Sequence, residues 1–399
     1  MSTRTPEQPR TATPTLSDVV AHLERRYPLR TAEPWDAVGL VTGDPAQPVR
    51  KVLLAVDPVA AVVDEALAWG ADLIVTHHPL LLRGVHSIAT TDPKGALLHR
   101  LVRGGCALYA AHTNADSAER GVADALADAL GLVETRPLVP GAPAGTYDKH
   151  VVLVPDEHAQ AVVDALADAG AGALGAYERC AWTTTGTGTF RPLTGAQPAV
   201  GEVGKVEEVP ETRVEMIAPR EARTKVVAAM RAAHPYEEPA FDVLELAALP
   251  TTTGLGRVGR LVTPTTLRAF AEHVARVLPA TAQGVRVAGD LDAQVETIAV
   301  LGGSGDSEIP TARAAGADVY VTSDLKHHPV SDAREQGLLA DGRPFLVDTA
   351  HFASEWPWLR YAALDLSDDV AAAGGIVEVR VSELCTDPWT ARFGGHDQG

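Results

Sequence analysis

AWGADLIVTHHP (residues 68–79) and AAGADVYVTSDLKHHP (residues 314–329) share a Gly-Ala-Asp step, an uninterrupted apolar run, a Val-Thr exit and a terminal His-His-Pro. A short apolar run without polar alternation marks a strand buried on both faces, as in parallel sheets covered by helices. Each copy sits in matching company. Around the first lie KVLLAVD (51–57), read as a strand, VAAVVDEALAWG (59–70), read as a helix, ALLHRLVRGG (96–105), a second helix, and CALYAAHTNAD (106–116), a strand with its exit loop. Around the second lie TIAVLGGSG (297–305), a strand and Gly-rich turn, IPTARAAG (309–316), a helix, and PFLVDTAH (344–351), a further strand. The alternation makes the fold class α/β. Its recurrence predicts two pseudo-repeated α/β halves that face one another across a cleft and form one domain.

Between the halves the order changes. KHVVLVP, DEHAQAVVDALADAGAG, CAWTTTGTGTF, TRVEMIAP, REARTKVVAAMRAAHP and FDVLEL read as β-α-β-β-α-β, a ferredoxin-like order. Gly/Pro-rich joints, VPGAPAG and LPTTTG, flank it as they would an inserted domain. The expected organisation is a disordered tail over 1–14, a first half-domain over 15–146, a ferredoxin-like α+β insert over 147–246, a second half-domain over 247–387 and a flexible tail over 388–399. Leu16, Val19, Val20, Leu23 and Tyr27, behind Thr15 or Ser17 as caps, predict an opening amphipathic helix that Pro28 closes.

The composition narrows the function. With 34 Lys and Arg against 52 Asp and Glu, the chain of 399 residues carries a net charge of −18, which repels a phosphate backbone and disfavours nucleic acid as a partner. Three scattered cysteines, Cys106, Cys180 and Cys385, form no C-x-x-C pair, so a bound metal must use nitrogen and oxygen. The N-terminus lacks the apolar core of a signal peptide, and no window is long and apolar enough to span a bilayer; a cytoplasmic protein without a membrane partner is expected.

In α/β sheets ligands bind beyond the carboxyl ends of the strands, and the strongest polar residues stand there. His77 and His78 follow ADLIVT, Asp116 follows ALYAAHTN, and His351 follows FLVDTA. Glu355 lies four residues beyond His351; Pro357 argues against a continuous helix, so Ser354 is expected as N-cap, with His351 in the loop and Glu355 in the first turn. Three imidazoles and two carboxylates suit Zn, Fe(II) or Mn. Five protein ligands exceed the need of one ion with an open position, so two divalent ions with one carboxylate bridging fit better, an arrangement that activates a water for hydrolysis. His112 and Asn114, in AAHTNAD, and His327 and His328, in DLKHHP, are expected to orient ligands or touch substrate. No residue is assigned a catalytic role.

Two glycine motifs fall outside this scheme. GLGRVG (254–259) matches a dinucleotide fingerprint in letters, but it leads into a strand-like stretch where such a site needs a helix. GGSGDS (302–307) follows a strand and precedes a helix, as either an anion-holding turn or a plain tight turn.

PWDAVGLVTGD, THHPLLLRGVHSI, AAHTNAD, AHPYEEPAFDV, GLGRVGRL, VTSDLKHH and DTAHFASE, in this order, resemble the GTP cyclohydrolase I type 2 homologue family, the Nif-three-like dinuclear metal-centre proteins. The resemblance implies a two-metal site on His77, His78, Asp116, His351 and Glu355, with Glu355 as the bridge. It implies a toroidal homohexamer with the sites facing an internal cavity, and a PII/CutA-like insert. WDAVG stands where the family more usually has WDNVG. The expected function is a metal-dependent hydrolase acting on a small nucleotide-like or phosphorylated substrate. The contrasting expectation is a non-enzymatic metal-binding scaffold or regulatory protein with the insert as sensor.

Overall fold

The structure is a computed structural model and describes residues 13–141, 146–247 and 251–393. The tail expected over 1–14 lies almost wholly outside them, as do the end of the 388–399 segment and parts of both Gly/Pro joints. The chain divides into two compact units, Met1–Gly141 with Thr252–Gly399, and Ala142–Thr251.

The larger unit contains α1 (Leu16–Arg26), β1 (Gly39–Thr42), β2 (Lys51–Ala55), α2 (Ala60–Trp69), β3 (Leu73–Thr76), α3 (Pro93–Gly104), β4 (Ala107–Ala110), α4 (Thr113–Ser117), α5 (Val122–Ala129) and β5 (Leu132–Pro140). The smaller unit follows with β6 (Tyr147–Pro155), α6 (Ala159–Asp168), β7 (Ala181–Phe190), β8 (Glu207–Pro219), α7 (Arg223–Ala233) and β9 (Phe241–Glu245). The chain then returns through β10 (Gly254–Thr266), α8 (Leu267–Val277), β11 (Arg286–Ala288), β12 (Gln294–Ser304), α9 (Ile309–Ala314), β13 (Val319–Ser323), α10 (His327–Leu338), β14 (Phe345–Thr349), α11 (His351–Ala372) and β15 (Glu378–Val381).

Two mixed sheets build the larger unit, in the orders β1-β4-β3-β2-β15 and β11-β14-β13-β12-β10-β5. The apolar runs become parallel neighbours: β2, β3 and β4 in one sheet, β12, β13 and β14 in the other. Edge strands do not respect sequence order. β15, at the C-terminal end, joins β2, while β5, from before the smaller unit, joins β10. Between the sheets, α11 supplies Phe352, Trp358, Leu359 and Leu366 to one core and Ala353, with its N-cap Ala350, to the other. α5 does likewise, with Val122 and Ala125 in the first core and Leu126 in the second. Thr15 caps α1 reciprocally with Asp18, the role its position predicts.

Two local expectations are corrected. The exit loop expected after β4 is in part the short helix α4. α11 begins at His351 with Ala350 as N-cap and runs through Pro357, so Ser354 is not a cap and Glu355 lies in the second turn. A proline inside a helix costs about 3 kcal/mol. Burial of Phe352, Trp358 and Leu359 at 4% exposure or less offsets that, since each fully buried large apolar side chain contributes roughly 1.5–3 kcal/mol.

The smaller unit is one antiparallel sheet, β7-β8-β6-β9. Its first and third strands lie side by side at the centre, which is the split arrangement that β-α-β-β-α-β connectivity produces. Val152, Val154, Val162, Leu166, Val214, Met216, Val226 and Met230 pack α6 and α7 on one face of it.

Candidate metal centre

The carboxyl ends of β3 and β14 and the start of α11 converge on one cavity of about 560 Å³ in the larger unit. His78, His112, Asp116, His351 and Glu355 line it, and His77 is wholly buried beneath them. The sequence separates these groups by more than two hundred residues, and the fold closes that gap. The Glu355 carboxylate stands at the centre. Its Oε1 lies 3.4 Å from His77 Nε2 and 2.9 Å from His351 Nε2, and its Oε2 lies 3.2 Å from His78 Nε2. Asp116 Oδ1 is 3.7 Å from His77 Nε2, and the Nε2 atoms of His78 and His351 are 3.2 Å apart.

Each imidazole is turned by a partner at its other nitrogen. His78 Nδ1 meets Asp57 at 2.7 Å, His351 Nδ1 meets Asp324 at 2.7 Å, His112 Nδ1 meets Asp36 at 2.9 Å, and His77 Nδ1 meets the Ala111 carbonyl at 2.9 Å. An N–H donated outward from Nδ1 leaves the Nε2 lone pair aimed inward, the tautomer a metal-ligating histidine takes. Two overlapping groups could therefore hold a metal ion: His77, His78 and His112, and His78, His351 and Glu355.

Electrostatics show what the cluster demands. Burial alone would raise the Glu355 carboxyl, but His78, His77 and His351 hold it well below the usual carboxylate range. Burial opposes charge on the rings, yet the Glu355 charge and the outer carboxylates push His78 up to about 10 and His351 up to about 11. Burial pushes Asp116 up to about 6, with Glu355 adding to the rise and His77 opposing it. The cluster thus draws in positive charge, which protons supply when no cation does. Buried Glu355 Oε2 and His77 Nε2 still lack a hydrogen-bond partner. Such orphaned atoms are expected at ligand positions.

Gly303 makes room for the cluster. Its φ is +72°, and a Cβ there would stand 2.6 Å from Glu355 Oε1 and 3.3 Å from His351 Nε2. Residues 302–304 of GGSGDS end β12, with Gly303 pressed against Glu355, and the Gly303 amide is already taken by Ser354 Oγ at 2.9 Å. GLGRVG lies in β10 as a strand, where buried Arg257 is paired with Asp124.

Other expected residues sit elsewhere. Asn114 is buried and donates to the Tyr27 carbonyl at 2.7 Å, which pins the end of α1 and keeps it out of the cavity lining. His327 and His328 are exposed at the start of α10, and His327 lines a different cavity, with Arg286 and Asp348. The orienting acids Asp36, Asp57 and Asp324 are outside the set that the sequence predicts. A signal existed for one: Asp57 ends the strand KVLLAVD, as Asp116 follows its own strand.

An α/β protein with a prebuilt imidazole–carboxylate centre able to hold metal is the class that fold and cavity define. A sequence profile of the family described as Duf34/NIF3 (NGG1p interacting factor 3) matches residues 14–388, and the chain belongs to that family. It is 50% identical over 374 residues to a Mycobacterium tuberculosis protein named "GTP cyclohydrolase 1 type 2 homolog", covering 94% of this chain and 96% of the relative. A Bacillus subtilis protein of the same name is 41% identical over 341 residues, with 84% and 88% covered. Among solved structures, a Bacillus cereus protein related to NIF3 superposes with a TM-score of 0.67 at 40% identity, covering 95% of this chain and all of that one. Among the described residues no helix is long and apolar enough to cross a membrane.

Proposed function

We propose that this chain is a dinuclear metal-binding protein and a metal-dependent hydrolase of a nucleotide-like or phosphorylated small molecule. The observation that carries the reading is the Glu355 carboxylate, 2% exposed, with one oxygen against His77 and His351 and the other against His78. Glu355 would be shared between two ions, with His78 and His351 among the residues that would hold one and His77 and Asp116, with His112 beside them, among those that would hold the other. The donors are nitrogen and oxygen only, which suits Zn, Fe or Mn. Bound there, such ions supply Lewis acidity for activating water and stabilising charge on substrate oxygens.

The chain's own residues supply the rest. Asp57, Asp324 and Asp36 hold the rings in register, and the buried floor around His77 and Trp358 excludes water from behind the cluster. No lysine or arginine is among the described residues lining the cavity, so bound ions would have to balance charge on an anionic substrate. The name shared by the relatives supports a nucleotide-like substrate, and the repeated strand–helix order supports two pseudo-repeated halves. A homohexameric ring and a PII/CutA-like role for the smaller unit complete the reading.

Elemental analysis of gently purified protein is expected to find about two ions per chain, with turnover of at least one compound in a nucleotide and phosphoester panel. Two ions without any turnover leave the scaffold function in its place; metal-free protein overturns both.

A further inference from the structure

The smaller unit holds a cavity of about 330 Å³, within the size range of small-molecule sites. Its walls are mostly apolar: Leu153 of β6, Phe190 at the end of β7, and Pro192, Pro198 and Val200 from the loop that follows. That loop is tied down, since the Gln197 amide donates to Glu237 Oε2 at 3.1 Å and the Gly204 amide to the Pro192 carbonyl at 2.8 Å. The opposite wall is the turn of AHPYEEPAFDV. His234 donates from Nε2 to the Leu153 carbonyl at 2.9 Å and accepts the Tyr236 amide at Nδ1 at 3.0 Å, so its ring is fully engaged in shaping that turn.

Thr189, Arg191, Glu237 and Glu238 border the cavity as exposed residues, and the buried polar groups that break its lining are Glu211 and the Tyr236 hydroxyl. Glu211, on β8, is 8% exposed and meets no lysine or arginine within ion-pair distance among the described residues. Its side chain fits because residue 188 is glycine: a Cβ there would lie 2.1 Å from Glu211 Oε2. Beside it the Tyr236 hydroxyl is buried and completes no hydrogen bond. A buried carboxylate without a counter-charge is costly unless something cationic joins it. No grouping of metal-ligating side chains occurs here among the described residues, and the walls suit a carbon skeleton.

We propose that this cavity is a binding site for a small primary amine with an apolar body, whose ammonium group lies between Glu211 and Tyr236 and whose hydrocarbon part packs on Phe190, Leu153 and Val200. The ammonium donates to the Glu211 carboxylate and to the Tyr236 oxygen. The smaller unit thereby gains a ligand of its own, and this assignment stands independently of the metal centre.

Titration calorimetry on the full chain with phenethylamine and hexylamine tests it, against phenethyl alcohol and hexanol. The amines are expected to bind at one site per chain and the alcohols at least about tenfold more weakly, the loss of a charge-assisted hydrogen bond. Glu211→Gln is expected to weaken amine binding about tenfold or more, and Tyr236→Phe by a smaller factor, with melting curves and metal content unchanged. Absence of amine binding to the native chain overturns the proposal, as does equal affinity for the alcohols or for Glu211→Gln. If Glu211→Gln fails to fold, Tyr236→Phe with unchanged amine affinity overturns it instead.

Discussion

His77-His78-Pro79 and His327-His328-Pro329 are the same three letters after the same Gly-Ala-Asp and Val-Thr, yet they end in opposite surroundings. His77 is buried and His78 lines the cavity, each turned by a partner. His327 and His328 are exposed on the first turn of α10, edge to face with one another at 5.2 Å between ring centres. Counted from Val-Thr, the residues that stand where His77 and His78 stand are Ser323 and Asp324. Ser323 is buried and bonded to Ser354, and Asp324 orients His351. Position relative to the strand exit, not the identity of a tripeptide, decides which side chain reaches the centre. Asp324 takes a positive φ of 56°, turning the chain away so that the second His-His pair starts a helix.

The largest effect separating the two pairs is expected at their common test, metal content. If two ions share Glu355 as proposed, Glu355→Gln should abolish binding of both, weakening apparent affinity by more than the 10–100-fold typical of groups one step removed from a ligand. His78→Ala should remove at least one ion. Inductively coupled plasma analysis after gel filtration measures both. Full metal content in Glu355→Gln would show that the carboxylate does not bridge.

Gly303→Ala comes next, because it presses on Glu355 without replacing any ligand residue. The added Cβ would meet Glu355 Oε1 at 2.6 Å from a backbone at φ +72°. Strain of about 1–3 kcal/mol is expected in the apo protein, read by thermal melting, together with loss of metal. A variant with native stability and native metal content would show that the carboxylate has room to move.

Much of this is legible in the amino-acid sequence. Strand exits point to His77, His78, Asp116 and His351, and spacing from His351 adds Glu355, because ligands of α/β sheets gather beyond the carboxyl ends of the strands. The smaller unit's order followed from its alternating periods. Less was legible where tertiary packing overrules local preference. Pro357 reads as a helix breaker, yet it sits inside α11, held by the buried apolar side chains around it. The edge strand β15 carried no distinguishing signal, since Glu378–Val381 alternates with little burial and only its pairing with β2 defines it. The orienting acids were hidden for a related reason: Asp36 and His112 are 76 residues apart, and nothing local links them.

Those acids give the third effect. Asp57→Asn and Asp324→Asn each replace an anion that accepts from an imidazole Nδ1, and metal affinity should fall about 10–100-fold while folding is kept. Competition with a chromophoric chelator would measure it; an unchanged affinity would make the acids mere surface neighbours. The same assay should depend on pH. His78 and His351 sit at about 10 and 11 without metal, so near neutrality a cation must displace their protons. Apparent affinity should rise with pH by about tenfold per unit for each proton released, up to those values. In the metal-free chain the sign reverses: both folded values exceed the unfolded one, so the rings stabilise the fold most fully below about pH 6.5, and the contribution is lost as pH rises through their folded values.

The smallest effect is expected at the second His-His pair, and it is the sharpest test of the comparison. His327→Ala and His328→Ala remove exposed rings whose ring contact is with each other, at the end of a helix where a cation is least welcome. Stability should change by no more than about 0.5 kcal/mol, as for surface positions generally, and metal content should stay at the native level. If His328→Ala instead lost an ion, the tripeptide itself would outrank its distance from the strand exit. The centre would then draw on α10 through a rearrangement or a neighbouring copy of the chain, and the assignment of Ser323 and Asp324 as the positional counterparts of His77 and His78 would fall with it.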